Sequence, residues 1–274
     1  MNPVELAIAA FITAGVGALG GLGGAILLVP FLVLSGVSAR DAAPLGLISV
    51  AAGSLAAAPH QLRSRVVNHR LGISTEIISS IAALIGALAS GVIGQSALAV
   101  MLGVVALIAA FFGARRKGIR NLPDPSLTIA DVAEHSGSLS GVYQLDETEF
   151  VAYRARRVPF GLLGMASAGL IAGLSGVSGG FIKTPTTSEI MQVPVKVAAA
   201  TTTFTVGITS AVALLVYEAQ GRIVPSDAAL VAAAALVGGL LGARLQEVLS
   251  PPMVRRSLSL VLLVIGILLI VRNR

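Results

Sequence analysis

The length of its apolar blocks most limits what this chain can fold into. They run for roughly 17 to 25 residues or more between short polar links, the length a helix needs to cross a hydrocarbon core of about 30 Å. A membrane barrel built from short alternating strands does not fit blocks of that length. Apolar residues make up 55% of the 274 positions and charged residues 12%, with a mean hydropathy of +0.90, far outside the range of soluble domains. An all-α membrane protein follows, with the lipid bilayer as its first partner.

Two of the blocks are interrupted in the same way. GLGGAILLVP at Gly21 to Pro30 and GVSGGFIKTP at Gly176 to Pro185 keep one register at an offset of 155 residues, pairing Gly21 with Gly176, Gly24 with Gly179 and Pro30 with Pro185. Each lies in an apolar run too long for one simple span and too rich in glycine for a continuous helix, since an interior glycine costs about 1 kcal/mol relative to alanine. Both are therefore read as transmembrane helices broken near Gly20–Gly24 and Ser175–Gly180, with Pro30 and Pro185 as helix-breaking residues.

The remaining blocks give spans near 41–60, 71–93, 97–113, 194–218, 228–249 and 252–271. Asp41 is the expected N-cap of the second segment, with Pro44 in its first turn. Counting each broken segment as one crossing gives about eight transmembrane segments. They form two four-span units, 1–117 and 158–274, joined by a polar linker, 118–157, that carries six acidic residues from Asp124 to Glu149 and an alternation at Ser140 to Arg156 suited to a small hairpin. An even number of crossings per unit makes the units parallel, related by an axis along the membrane normal. It also puts both termini and 118–157 on one side together with most of the 19 Lys and Arg, which the positive-inside rule makes cytoplasmic in a multi-pass cell-membrane protein. Arg255 and Arg256 are the exception, at the outer face. The N-terminal stretch lacks a basic n-region and is read as retained.

The paired Gly breaks each followed by Pro, the small-residue span that opens after a Pro or an Asp, and the polar loop with Tyr143 and Tyr153 together resemble the sulfite exporter TauE/SafE family over about Val4 to Val271. Ala25 after Gly24 and Ser178 before Gly179 depart from a fuller triple-Gly pattern. The resemblance implies transport, often export, of sulfite, an organosulfonate or a related small sulfur-containing anion.

Binding an oxyanion requires N–H or O–H donors and a positive potential in a dry cavity. A helix that begins at a glycine break offers free backbone N–H groups and the positive end of its dipole. The expected substrate-binding set is Gly21, Gly23, Gly24 and Ser49 from the first unit, and Ser175, Ser178, Gly179, Gly180, Lys183, Thr184, Thr201, Thr202 and Thr203 from the second. The site is lopsided, because the first unit is apolar where the second is polar. Lys183 stands out, since an ammonium inside an apolar segment is costly unless it meets water, a partner or an anion. Glu189 is one such partner and snorkelling to the outer interface another outcome. The Thr201–Thr203 run has a plainer use in bonding to the preceding helical turn. Glu76, Glu218, Asp227 and Glu247 are read as interfacial charges, with Glu218–Arg222 and Arg244–Glu247 at helical pairing distance.

No catalytic residue, metal site or cofactor is called for. His60, His69 and His135 lack ligand spacing, the glycine motifs lack a P-loop ending, and there is no cysteine. The net charge of +6 sits at block ends and not on a nucleic-acid-binding stripe. The leading reading is a secondary transporter using alternating access between two units, not an enzyme, and compatible with a homo-oligomer. A passive anion channel, and a scaffold or sensor acting through the central loop, are the alternatives.

Overall fold

A computed structural model describes residues 1–20, 24–63, 66–115, 139–144, 150–245 and 251–273. The helices are α1 (Pro3–Gly20), α2 (Ala25–Leu34), α3 (Ala39–Arg63), α4 (His69–Ser90) and α5 (Gln95–Arg115), then α6 (Val158–Ser175), α7 (Gly180–Pro185), α8 (Val195–Ala219), α9 (Pro225–Leu245) and α10 (Pro251–Arg272). Strands β1 (Ser140–Gln144) and β2 (Phe150–Arg154) form the antiparallel hairpin expected in the linker, and a π-helical turn, Thr186–Ile190, follows α7. Among the described residues six helices are long and apolar enough to cross a membrane: α3, α4, α5, α6, α8 and α9. The chain is a multi-pass, all-α membrane protein.

Local sequence explains the ends. The breaks fall where glycine predicts them, since α1 stops at Gly20 and α2 starts after Gly24, while α6 stops at Ser175 and α7 starts at Gly180. Gly176 takes φ +72° and donates its N–H to the Ala172 carbonyl, closing α6. A Cβ there would overlap the Ala43 backbone as well, so glycine is needed for space and for conformation. Two expectations change here. Pro30 lies inside α2, which runs through it to Leu34, so it breaks nothing; Pro185 instead marks the passage from α7 into the wider π turn, where Met191 N–H reaches back to Thr186 O. Ser38, and not Asp41, caps α3: its Oγ accepts from Asp41 N at 3.1 Å and donates to the Asp41 carboxylate at 2.6 Å.

Helix directions follow from which residues meet. Gly24 faces Ala14, and along the second half Gly179 faces Ala168, Gly164 faces Thr186 and Gly161 faces Met191. Each break is thus a reversal: the chain turns back beside the helix it has just left. Between the halves, α1 and α9 run parallel, with Gly238 at Phe11 and Gly242 at Gly15. So do α4 and α6, with Gly169 at Ser79 and Gly173 at Ala83. By contrast α5 and α10 are antiparallel (Gly103 at Gly266, Gly113 at Ser259), and so are α3 and α8, where Ser54 donates to Thr203 O while Ala43 and Leu47 cluster with Ala213 and Tyr217. These pairs, all from opposite halves, are among the most closely packed in the molecule, and small residues allow it.

This overturns the parallel, once-crossing arrangement. Because each break reverses the chain, five passes and not four separate the start of a half from its end, and the two halves run in opposite directions. One end of the bundle, the linker end, gathers the α3–α4 link, the hairpin and the loop after the π turn, with Asn68 bonded to Tyr153 and Arg156 N–H to Met191 O. The other, the terminal end, gathers Leu34, Arg40, Ile93, Arg222 and Arg272: Arg272 donates to Leu34 O, and Arg40 to Ile93 O. The C-terminus and the linker hairpin lie at opposite ends, so they cannot both be cytoplasmic. The apparent exception of Arg255 and Arg256 disappears, since α10 starts at the linker end.

Candidate functional site

The two breaks meet at the middle of the fold, where α3 and α8 cross. Ala25, the first residue of α2, shares a buried cluster with Val50 of α3 and Val206 of α8. On the other side Gly180, the first residue of α7, faces Thr202 and Val206, and its N–H donates to Ser178 Oγ at 3.1 Å. Ser178, Gly179, Gly180 and Thr202 therefore come together as the sequence implied, all buried.

Lys183 follows within α7, 1% exposed, and is held by residues from two other helices. Its Nζ donates to Glu76 Oε2 of α4 at 2.7 Å and to Thr209 Oγ1 of α8 at 2.5 Å. Thr209 Oγ1 in turn contacts Glu76 Oε1, which also accepts from Ser80 Oγ at 3.0 Å. Both carboxylate oxygens are thus engaged and the ammonium has two partners, the condition under which a buried pair is tolerated at all. The geometry corrects two expectations: Lys183 pairs with Glu76 and not Glu189, and Glu76 lies 4% exposed in the interior and not at an interface. Glu76 sits two turns inside α4, and the sequence signal that could have found it is simple. An acid and a base, each isolated in an apolar segment, have most to gain from each other.

The other expected residues divide. Thr184 is buried, with its carbonyl accepting from Ser188 Oγ at 2.9 Å. Ser49 is buried on α3, and its Oγ has no hydrogen-bond partner among the described residues, which leaves a donor and acceptor available in the apolar half. Ser175 Oγ bonds to Ile171 O at 2.7 Å and Thr203 Oγ1 to Ala199 O at 2.9 Å, each spent on its own helix. Thr201 Oγ1 accepts from Asn68 N–H at 3.0 Å and so belongs to the linker end. Gly24 is buried, seated on α1, where a Cβ would come 2.5 Å from Ala14 Cα. Gly21 and Gly23 lie outside the described residues, as do His135 and Glu247.

Each end of the bundle carries a polar cluster that sequence reading missed. At the linker end, a cavity of about 320 Å³ lies between residues 66–70 and the hairpin, lined by Asn68, His69, Arg70, Tyr143 and Tyr153 among others. Burial pushes the Tyr153 phenol up to about 12, outweighing the opposing hydrogen bond from Asn68. At the terminal end, Arg222 stacks over the Tyr217 ring at 4.2 Å, donates to Ser90 Oγ at 2.7 Å and reaches the Arg40 carbonyl. Its guanidinium is drawn below its ordinary value by burial, and the Nε atoms of Arg40 and Arg222 are buried without a hydrogen-bond partner among the described residues. The expected pairing of Arg222 with Glu218 gives way to these contacts.

Among the described residues no group of His, Asp and Glu could hold a metal ion. A bundle of membrane-crossing helices reversed at two glycine breaks, with a neutralised ion pair beside them, has the architecture of a membrane transporter. The chain matches the sulfite exporter TauE/SafE family over residues 6–269 and belongs to it. It is similar, at 25% identity over 278 residues and 98% of each chain, to the "Probable membrane transporter protein YunE" of Bacillus subtilis (strain 168). No solved structure matches it.

Proposed function

We propose that the protein is a secondary transporter, working as an exporter, of a small sulfur-containing anion such as sulfite or an organosulfonate. It alternates access between two inverted units, 1–117 and 158–274, joined by the linker 118–157. The observation that carries this reading is the meeting of two reversed helices at the α3–α8 crossing, with Lys183 and most of the hydroxyls on one side. Helix starts at Gly24 and Gly179 turn backbone N–H groups toward that point, and Ser49, Ser178, Thr184 and Thr202 add hydroxyls. Family membership supports the substrate class.

Orientation follows from charge. Arg63, Arg70, Arg115, Arg154, Arg156, Arg157, Lys196, Arg244, Arg255 and Arg256 belong to the linker end, against Arg40, Arg222 and Arg272 at the terminal end. By the positive-inside rule the linker end faces the cytoplasm and the termini face outward. An anion would then leave past the Arg40–Arg222 pair, whose positive potential draws it outward.

The test is flux through purified protein in vesicles. Sulfite, thiosulfate, sulfate, sulfoacetate and taurine are each offered from one side. The expected result is saturable uptake of at least one anion, accelerated by the same anion inside. Voltage-driven flux without saturation or counterflow would instead identify a channel.

A further inference from the structure

The Lys183–Glu76–Thr209 group has a counterpart in the same molecule. Shifted by 155 residues, Lys183 corresponds to Leu28, Glu76 to Val231 and Thr209 to Ser54. Leu28 and Val231 are both fully buried in one apolar cluster, so the counterpart site, built from α2, α3 and α9, holds the same arrangement of helices without any charge. The fold does not need the ion pair. Removing two charges from water costs several kcal/mol per ion, and apolar replacement of such pairs is often neutral or stabilising. A charge pair kept where an apolar pair serves equally well calls for another use.

We infer that this pair couples anion movement to protons: an incoming monovalent anion takes Lys183 from Glu76, and Glu76 then binds one proton. This rests on the transport reading above. Lys183 lies in the short helix that opens at the Gly179 break, three residues from Gly180, and is the one cation of that helix. An anion that claims the ammonium leaves the Glu76 carboxylate buried without its counter-charge, and an unpaired buried carboxylate neutralises in place of staying ionised. The proton comes from water and adds to a carboxylate oxygen of Glu76; the ammonium keeps its three protons and changes partner. The centre is neutral as the ion pair and neutral again as ammonium, anion and carboxylic acid. A monovalent anion without the proton would leave one net negative charge in an apolar interior. One proton therefore accompanies each monovalent anion.

Nothing else on the surrounding helices is placed to do this. The ionisable groups of α4 are His69 and Arg70 at its start, Arg157 precedes α6, Glu189 lies in the π turn, and Lys196, Tyr217 and Glu218 stand near the ends of α8. Among the described residues none is hydrogen-bonded to the pair, whose bonds run to each other, Thr209 and Ser80.

The probe is methanesulfonate, a monovalent anion that carries no proton of its own at the pH values used. With the full chain in detergent and weak buffer, a pH indicator should record about one proton taken up per anion bound. Wherever one proton is taken up per anion, wild-type affinity should fall about tenfold for each unit rise in pH. In Glu76→Gln, which keeps the shape and hydrogen-bonding capacity of the side chain, Lys183 has lost its competitor. Binding should become about tenfold tighter, independent of pH and free of proton uptake. A double variant, Glu76→Val with Lys183→Leu, copies the counterpart site and should fold but neither bind the anion nor take up protons when it is added. Anion flux in wild-type vesicles with no accompanying protons overturns the coupling and leaves the transport reading standing. Proton uptake that persists in Glu76→Gln also overturns it. Vesicles that move none of the anions tested remove both.

Discussion

Residues 3–115 and 158–272 present the same order of elements at the same spacing, yet their interiors differ in kind. In the first half, α2 is ten residues of unbroken apolar helix, continuous through Pro30, and its Leu28 is buried in one apolar cluster with Val231 of α9. In the second, the matching segment is a six-residue helix that loosens into a π turn at Pro185, and its Lys183 is held by Thr209 of α8 and by Glu76, which α4 brings from the first half. The comparison separates what builds the bundle from what the bundle is used for. Apolar packing across opposite-running halves suffices at Leu28 and Val231, so the polar chemistry at Lys183 and Glu76 is an addition to the scaffold.

The largest effect expected is all-or-none and concerns the opposed directions of the halves. The natural chain has no cysteine, so Arg154→Cys in the hairpin and Ser226→Cys at the start of α9 each give a single thiol. Both positions are exposed, and an impermeant maleimide should reach them from opposite sides of the membrane, Arg154→Cys from the cytoplasm. Labelling of both from the same side would restore parallel halves.

Next in size is the asymmetry of the two centres. Lys183→Leu alone strands the Glu76 carboxylate and should cost about 3 to 5 kcal/mol, read by thermal unfolding in detergent. Leu28→Met at the matching position should cost less than about 1.5 kcal/mol. Equal costs would mean that the charged centre is no more demanding than the apolar one.

Smaller effects are expected at the breaks. In Gly24→Ala the new methyl must displace the backbone of α1, for roughly 1 to 3 kcal/mol. In Gly180→Ala it meets only Ser178 Oγ at 3.1 Å and side chains beyond, and stability should change by less. A larger loss at Gly180 than at Gly24 would reverse the view of which break is the tighter.

The smallest effect lies in the hairpin. Tyr153→Phe removes the bond from Asn68 and should cost about 1 kcal/mol. The folded phenol titrates near 12 against an ordinary value of 10, so the neutral form is favoured by folding. Its stabilising contribution is therefore complete below pH 10 and is lost as the pH rises toward 12. Ultraviolet titration of Tyr153→Phe against the natural chain should show the late-ionising phenol missing from the variant.

Much of the fold was legible because it depends on local chemistry. Glycine clusters located both breaks to within a residue, and period-two alternation found the hairpin. Crossing number was not legible, because a glycine break can kink a helix or reverse it, and the choice is made by distant contacts such as Gly24 on Ala14 and Gly179 on Ala168. The parity of the whole chain rests on that choice, so one local ambiguity decided whether the termini and the linker share a face. The site was half legible for a related reason. Lys183 announces itself by its cost, whereas its partner lies 107 positions away on α4 and looked like an end-of-span charge until the helices were assembled.

The opposed course of the two halves bears on which way solute flows. Walls built from inverted units resemble each other viewed from either end, and among the described residues the hairpin cap and the unequal arginine clusters tell the two ends apart. Such a scaffold holds no ratchet of its own. On the transport reading proposed above, export would then follow from the gradients across the membrane and not from a one-way device in the protein.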